Sequence, residues 1–490
     1  MEHYDTLIVG AGFGGLSAGA VLAKAGYKVG VLEASNELGG SAGKFDRFGY
    51  RFQAGATVGM GFEEGGVLQQ LFQHLELTPP PMRRMDTIMN IYLPDETIHY
   101  YRDAHKWFTE AGRVFPTKQA QVQRFFHEVF SVGRKLDSIL TDLPVFPPSR
   151  PRDWANLLKY VNYRNVTLLP YFTSTVADRL KKYHLDRDER FMTFLNGQLM
   201  DSVQTTADQC PAFLGYAALQ TFHKGAYAVE GGLASIAEKL GAFIEEQGGA
   251  VHKRRPALTI ERQGSGFRIK SRRERTYEAE RIILNHSLHN FHSTVSPELA
   301  KASNIPKETG QENTWGAFMM YFGVKDEFRD DVLYHQIVQD QNLPLSEGNQ
   351  FLLSFSAKDD LTMAPIGKRS VTVSTHTKAD PWWNQEHYEE RKSHYEEVVM
   401  NGIQKHFPQF TELIDVRMPG TPVTFERFTS RHKGQVGGYA PTGKWSWLNS
   451  QSVYTGIPKM YVCGDTVFPG AGTLGTSLSG WLAAEELMKS

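Results

Sequence analysis

The residues with the clearest chemistry lie near the start of the chain. Gly10, Ala11, Gly12, Phe13, Gly14 and Gly15 follow a short apolar run from Asp5 to Val9, and Glu33 with Ala34 comes soon after. Glycines at these spacings suit a pyrophosphate. Gly10 permits a tight turn, Gly12 lets the backbone approach the phosphates, and Gly15 allows a helix to pack closely on a strand. Bare N–H groups and the positive end of a helix dipole then hold the anion. Glu33 stands eighteen residues after Gly15, where a carboxylate can accept hydrogen bonds from ribose hydroxyls. The chemistry predicted is dinucleotide binding.

These residues need a strand, a turn, a helix and a second strand to position them. Asp5 to Val9 is a continuous apolar run suited to a buried parallel strand. Leu16 to Ala25 is rich in Ala and Leu and reads as a helix, which Gly26 closes. Tyr27 to Leu32 reads as the second strand. A further glycine pair follows in Glu37-Leu38-Gly39-Gly40-Ser41, and then an aromatic stretch and glycine turn, Tyr50-Arg51-Phe52-Gln53-Ala54-Gly55-Ala56-Thr57.

Two later segments read as returns to the same unit. Gly225 to Leu233 leads into a helix with Ile236, Leu240, Phe243 and Ile244 on one face, ended by Gly248-Gly249. A strand is expected to begin at Ala250-Val251 and to continue through Pro256 to Ile260, carrying Ala257. Tyr277 to Asn285 reads as another strand. Near the C-terminus, Lys459 to Val462 is a short strand, followed by Cys463-Gly464-Asp465, a glycine-rich loop from Phe468 to Gly480, and a helix expected from about Trp481.

Together these segments resemble the phytoene desaturase and carotenoid isomerase family, within the amine-oxidase-like FAD enzymes. The resemblance covers essentially the whole chain and is sharpest at 5–60, 225–285 and 456–490. Gly39-Gly40 after the acid is similar to the family's extension along the flavin's ribityl-phosphate arm. Ser41 stands where amine oxidases usually carry Arg. Pro469-Gly470-Ala471-Gly472 looks like the family's C-terminal signature, and Phe468 is more similar to the isomerase, ketolase and terminal-desaturase branches than to many bacterial phytoene desaturases.

The resemblance implies an α/β fold. A discontinuous Rossmann-type FAD-binding domain would comprise 1–86, 225–285 and 456–490. An α+β substrate domain, a mixed sheet plus a helical lobe, would comprise 87–224 and 286–455. FAD contacts are implied for Gly10, Ala11, Gly12, Phe13, Gly14, Gly15, Glu33, Ala34, Gly39, Gly40 and Ser41. They are implied also for Ala257 beside the adenine, for Gly464, for Asp465 at a ribityl hydroxyl, and for Gly472 and Thr473 near the flavin ring. The activity implied is a carotenoid desaturase or isomerase, with a hydrophobic polyene as substrate and a quinone or oxygen as electron acceptor. A carotenoid terminal oxidase or ketolase, an amine-type oxidase on a soluble substrate, and a flavin-retaining protein without turnover are the alternatives.

The remaining sequence bounds the reading. Of 490 residues, 41% are hydrophobic and 22% charged, as in a globular protein, and a net charge of −1 gives no reason to expect nucleic acid. The two cysteines, Cys210 and Cys463, point to a reducing, cytoplasmic setting without disulfide or zinc scaffold. Chemistry-bearing sequence from about Asp5 is expected to leave no cleavable targeting segment. No apolar run of about 18 residues offers a membrane span. Strands are expected at Gly316–Val324, Phe351–Ala357 and Val371–His376, and a charged helix over Tyr388–His406. The 17 histidines show no metal or triad spacing, and Arg427, His432 and His286 are acid or base candidates without an assigned catalytic role.

One stretch, 151–182, carries Arg152, Lys159, Arg164, Arg179, Lys181 and Lys182 against Asp153 and Asp178, interleaved with Trp154, Tyr160, Tyr163, Tyr171 and Phe172. Two readings stand for it. It is an ordinary helical lobe with a solvated basic face, or it is a membrane-facing lobe lying in the interface on the inner side of a bilayer. Around Arg427 to Tyr439, the glycines are expected either to approach the flavin or polyene, or to form a hairpin connection.

Overall fold

The computed structural model describes residues 2–140, 144–160, 165–307, 314–329 and 331–490. Tyr163 and Arg164 lie outside the described residues. Two seven-stranded sheets organise the chain.

In the first sheet, Glu2–Val9 lies between Thr276–Leu284 and Val29–Leu32, parallel to both. Ala250–His252 extends it beyond Val29–Leu32, and Met460–Val462 pairs in parallel with Thr276–Leu284. Strands buried on both faces read as unbroken apolar runs, as Val29–Leu32 does. The helices Phe13–Lys24, Ala234–Glu246 and Gly472–Met488 contribute to one core with this sheet. Gly26, at φ +87°, follows the first helix as expected.

The expected continuous strand from Ala250 to Ile260 is two strands on opposite edges of this sheet. Ala250–His252 is the parallel edge, and Thr259–Gln263 pairs antiparallel with Gly266–Lys270 at the other. Arg254 takes a left-handed φ of +58°, and Pro256 has no N–H for a ladder, so the strand ends between them.

The second sheet runs in the order Ile414–Gly420, Gly316–Lys325, Lys368–Thr377, Gln350–Phe355, Tyr334–Val338, Thr87–Tyr92, Thr97–Tyr101. It is mixed: Tyr334–Val338 is parallel to Thr87–Tyr92 and the other pairs are antiparallel. Alternation gives it two faces. One face, with Phe318, Met320, Phe351 and Val373, is covered by the helix Tyr388–His406 through Tyr395, Val399 and Ile403. The other turns toward a helical lobe that includes Gln119–Leu140, Glu189–Val203 and Ala212–Lys224, packed around Trp107, Phe125, Phe126 and Phe194.

Candidate functional site: a dinucleotide cradle and the cleft beside it

Pairing registers set four strand ends level. Val9 pairs with Leu32 and Leu284, and Leu284 pairs with Val462. The residues that follow, Gly10, Glu33, Asn285 and Cys463-Gly464-Asp465, therefore emerge together at the carboxyl edge of a parallel sheet. That edge is where open α/β sheets bind ligands.

Close approach at this edge needs glycine. A Cβ on Gly15 would lie 2.1 Å from the Gly10 carbonyl oxygen, and one on Gly480 would lie 2.0 Å from the Gly14 oxygen. The first helix and the C-terminal helix thus meet backbone to backbone. The latter begins at Gly472, nine residues before the expected Trp481. Gly475, Thr476, Ser477 and Gly480 are weak helix formers, but their small side chains let the helix sit against the Gly14 turn, and packing overrides propensity. Neither helix start, at Gly12 or at Ala471, has a side-chain cap. Both first turns keep backbone N–H groups for an anion.

Glu33 is buried, and its oxygens accept from the N–H groups of Ala11 and Ser35, each at 2.7 Å. Burial pushes its carboxyl above the usual range, against the opposing effect of those backbone donors. A carboxylate offers about four lone-pair positions, and the backbone donors do not fill them all, which leaves room for a ribose hydroxyl. Ala34 is half-buried beside it. The Phe13 side chain is buried in the core and anchors the turn, while its backbone belongs to the first turn of the helix. Gly39 N–H donates to the Ala11 carbonyl at 2.8 Å, and Gly12 and Gly39 form a parallel bridge, so the two glycine stretches run side by side. Gly40 is exposed at φ +59°. Ser41 Oγ is enclosed without a protein partner, while the Ser41 carbonyl accepts from Ala56 at 3.0 Å.

Ala257 is brought near Glu33, since Arg255 N–H donates to the Glu33 carbonyl at 2.7 Å. Gly464 N–H donates to Ser479 Oγ at 3.0 Å, tying it to the last helix. Gly472 is exposed in the first turn of that helix, with Thr473 half-buried after it. Cys463 is fully buried, and burial pushes its thiol up.

Sequence reading missed two residues here. Asn285, noted only as a strand end, donates from Nδ2 to the Gly10 carbonyl at 3.2 Å and would contact a Cβ on Gly12, Gly14 or Gly15. Arg431 donates to the Asp465 carboxylate at 2.5 Å. Of the acid–base candidates, Arg427 is exposed, His432 N–H donates to Asn290 Oδ1 at 3.1 Å, and His286 follows Asn285 with its Nε2 enclosed and unpaired. Burial lowers the His286 pKa. Arg427–Tyr439 is not a hairpin. It is the end of a helix, Pro422–Thr429, then a short turn, and a bridge from Val436 to Trp315.

Beyond Asp465 lies a second space. A Cβ on Gly438 would sit 1.9 Å from the Asp465 carbonyl oxygen, and one on Gly437 would sit 1.9 Å from the Gln204 amide. The chain thus bridges from the cradle to the end of Glu189–Val203. Asp201 on that helix and His376 on the facing strand are surrounded by protein yet keep accessible surface, so they line an internal cleft. Its floor is the helix-facing side of the second sheet, where Leu352 pairs with Ser374 and Ala317 with His376. Thr57 Oγ1 and Ser354 Oγ, 2.8 Å apart, join the floor to the turn after Tyr50–Gln53. Burial holds the His376 imidazole at about 4, neutral at ordinary pH.

The sequence pattern of flavin containing amine oxidoreductases matches residues 13–488. The chain belongs to that family. It is an FAD-dependent oxidoreductase with a Rossmann-type α/β fold. Prolycopene isomerase 1, chloroplastic, from an Oncidium hybrid cultivar is 26% identical over 506 residues, covering 99% of this chain and 84% of that protein. The 4,4'-diapophytoene desaturase (4,4'-diapolycopene-forming) of Methylomonas sp is 26% identical over 392 residues, covering 75% of this chain and 72% of that protein. Among solved structures, an oxidoreductase from Methanosarcina mazei shares the fold at a TM-score of 0.62 and 16% identity, covering 99% of this chain and 100% of that chain.

The residues of this flavoenzyme fit FAD. Two helix starts without side-chain caps, side-chain-free backbone at Gly12 and Gly39–Gly40, the Glu33 carboxylate and the orphaned Ser41 hydroxyl match the phosphates, ribose and ribityl arm in chemistry. Among the described residues, no group of three or more His, Cys, Asp or Glu side chains is arranged to hold a metal ion. No described helix is long and apolar enough to cross a membrane.

Proposed function

We propose that this flavoenzyme acts on a carotenoid or related polyisoprenoid, as a desaturase or an isomerase. The observation that carries the reading is continuity. The likeness to a prolycopene isomerase runs through 99% of the chain, and so includes both the cradle and the walls of the cleft that adjoins it. FAD, when bound, supplies hydride acceptance for desaturation or transient electron supply for double-bond rotation.

The chain's own residues do the rest. We assign Gly10 to Gly15, Glu33, Ala34, Gly39 to Ser41, Ala257, Gly464, Asp465, Gly472 and Thr473 to the cofactor, held by the segments 1–86, 225–285 and 456–490. The second sheet and Glu189–Val203 enclose the polyene and keep out water, with Leu352 and Ala317 as apolar floor. A quinone or oxygen takes electrons from the desaturase form of the reaction.

A water-insoluble polyene has to enter from a lipid phase. The helix Pro151–Leu158 leaves Trp154 60% and Leu158 68% exposed, and Val166 and Leu169 are exposed beyond it. Arg152 and Lys159 flank them, and Trp447 Nε1 donates to the Phe172 carbonyl at 3.1 Å, bringing exposed Trp445 and Leu448 to the same side. An apolar patch bordered by cations suits an anionic bilayer surface.

The test is chromatography of pigments after co-expression with enzymes that make acyclic carotenoids. A product with added conjugated bonds identifies a desaturase, and one of unchanged mass and altered retention an isomerase. No change in any C30 or C40 polyene, with FAD bound, removes the carotenoid reading.

A further inference from the structure

Two loops beside the cradle carry an excess of cations. Lys253, Arg254 and Arg255 follow the strand Ala250–His252. Lys270, Arg272, Arg273 and Arg275 end the strand Gly266–Lys270 and form the turn into Thr276–Leu284. Glu274 is the one acid within 253–258 and 270–275, in a chain whose net charge is −1. Backbone contacts bring the loops together. Leu258 N–H donates to the Lys270 carbonyl at 2.9 Å, and Thr259 pairs with Lys270. The loops also meet at His252. Burial lowers its pKa, Glu2 and Glu245 oppose that, and Arg255 and Arg275 add to it.

Lys270 pairs with Glu261 at 3.0 Å and Arg275 with Glu2 at 3.7 Å. Among the described residues, Lys253, Arg254, Arg255, Arg272 and Arg273 have no carboxylate within ion-pair distance. The backbone presents these charges under strain. Arg254, Arg273 and Glu274 take left-handed φ values of +58°, +58° and +54°. Arg273 and Glu274 are the central residues of a tight turn closed by Arg275 N–H on the Arg272 carbonyl, where Asn and Gly are the usual choice. Left-handed backbone is unfavourable for an L side chain, and charged residues retained there point to a use.

Their location gives that use. Arg254 N–H donates to the Ser35 carbonyl at 2.9 Å and its Nε to Asn36 Oδ1 at 3.0 Å, and Arg255 N–H donates to the Glu33 carbonyl. The loops therefore rim the adenosine end of the cradle, next to Glu33 and Ala257. FAD is an anion through its pyrophosphate. A local positive field at the mouth of its site raises the rate of encounter without strengthening the seated complex.

We propose that the loops 253–258 and 270–275 form a basic collar that captures FAD electrostatically and speeds its loading. The inference rests on the assignment of Glu33 and Ala257 to the cofactor and is independent of the polyene reading.

The full chain, freed of flavin by dialysis against potassium bromide, is mixed rapidly with FAD, and binding is followed by flavin fluorescence. The association rate is expected to fall about tenfold between roughly 20 mM and roughly 500 mM salt. Lys253→Glu, Arg272→Glu and Arg273→Glu combined are expected to slow association about tenfold at low salt and to remove the salt dependence, with dissociation within about twofold of the unmodified protein. Glu33→Gln, which alters the cradle alone, is expected to speed dissociation about tenfold with association unchanged. Salt-independent association in the unmodified protein, or a triple variant whose change lies in dissociation, overturns the collar. A triple variant that loads FAD at the unmodified rate and loses binding to phosphatidylglycerol vesicles makes this a lipid surface and overturns it too. Unchanged dissociation in Glu33→Gln removes the cradle assignment and this inference with it.

Discussion

The Arg431 guanidinium and the Asp465 carboxylate meet at 2.5 Å, both largely buried, and so join the loop after Pro422–Thr429 to the strand end that precedes the last helix. Asp465 is the residue proposed at the ribityl arm. Arg431→Met leaves that carboxylate without its cation and unlatches the loop, whereas Arg431→Lys keeps the charge. The expected outcome is FAD affinity about tenfold lower for Met and intermediate for Lys, read by flavin fluorescence on dialysis.

Two glycine substitutions separate close packing from backbone strain. Gly15→Ala puts a Cβ 2.1 Å from the Gly10 oxygen and should cost about 1–3 kcal/mol in unfolding free energy together with bound flavin. Gly26→Ala has open space and only a positive φ to overcome, so it should cost about 1 kcal/mol and leave flavin content unchanged. Denaturant midpoints and flavin-to-protein ratios of the two variants decide the point.

Glu128 links three helices. It accepts from Arg179 at 2.9 Å, Lys182 at 2.6 Å and Tyr216 at 3.0 Å, and from Tyr183. Burial alone would raise its pKa, but Lys182, Tyr183 and Arg179 hold it down at about 2. A carboxylate depressed in the folded state stabilises above its unfolded value near 4.5 and loses that stabilisation as pH falls toward 2. Glu128→Gln should remove about 3 kcal/mol near neutral pH and much less at about pH 3. Urea midpoints at the two pH values, compared with the unmodified protein, test this.

Membrane contact has a direct assay. Trp154→Glu with Leu158→Glu places charge in the exposed patch and should cut co-sedimentation with vesicles containing phosphatidylglycerol by about tenfold. Binding to neutral phosphatidylcholine vesicles should be weaker throughout. Equal partitioning of the double variant and the unmodified protein would discard the patch as a docking surface.

The parallel sheet and its carboxyl edge were legible because glycine spacing and unbroken apolar runs act locally. Tyr388–His406 was legible to the residue for the same reason. The break between His252 and Thr259 was not, because the second half of that stretch is claimed by a partner, Gly266–Lys270, that propensity does not reveal. The start of the last helix was hidden by glycines and hydroxyls that disfavour a helix alone and are needed only against Gly14. The Asp201 cluster was not legible. Gln198 and Asp201 share one helix, but Gln336 and Gln350 reach them from strands distant in sequence.

The backbone contact between Gly14 and Gly480 also makes the phosphate turn a long-range structure. Its two walls come from helices far apart in the chain, Phe13–Lys24 and Gly472–Met488. The turn is therefore completed only when those distant helices dock, a non-local closure that carries a larger loop-entropy cost than any local turn.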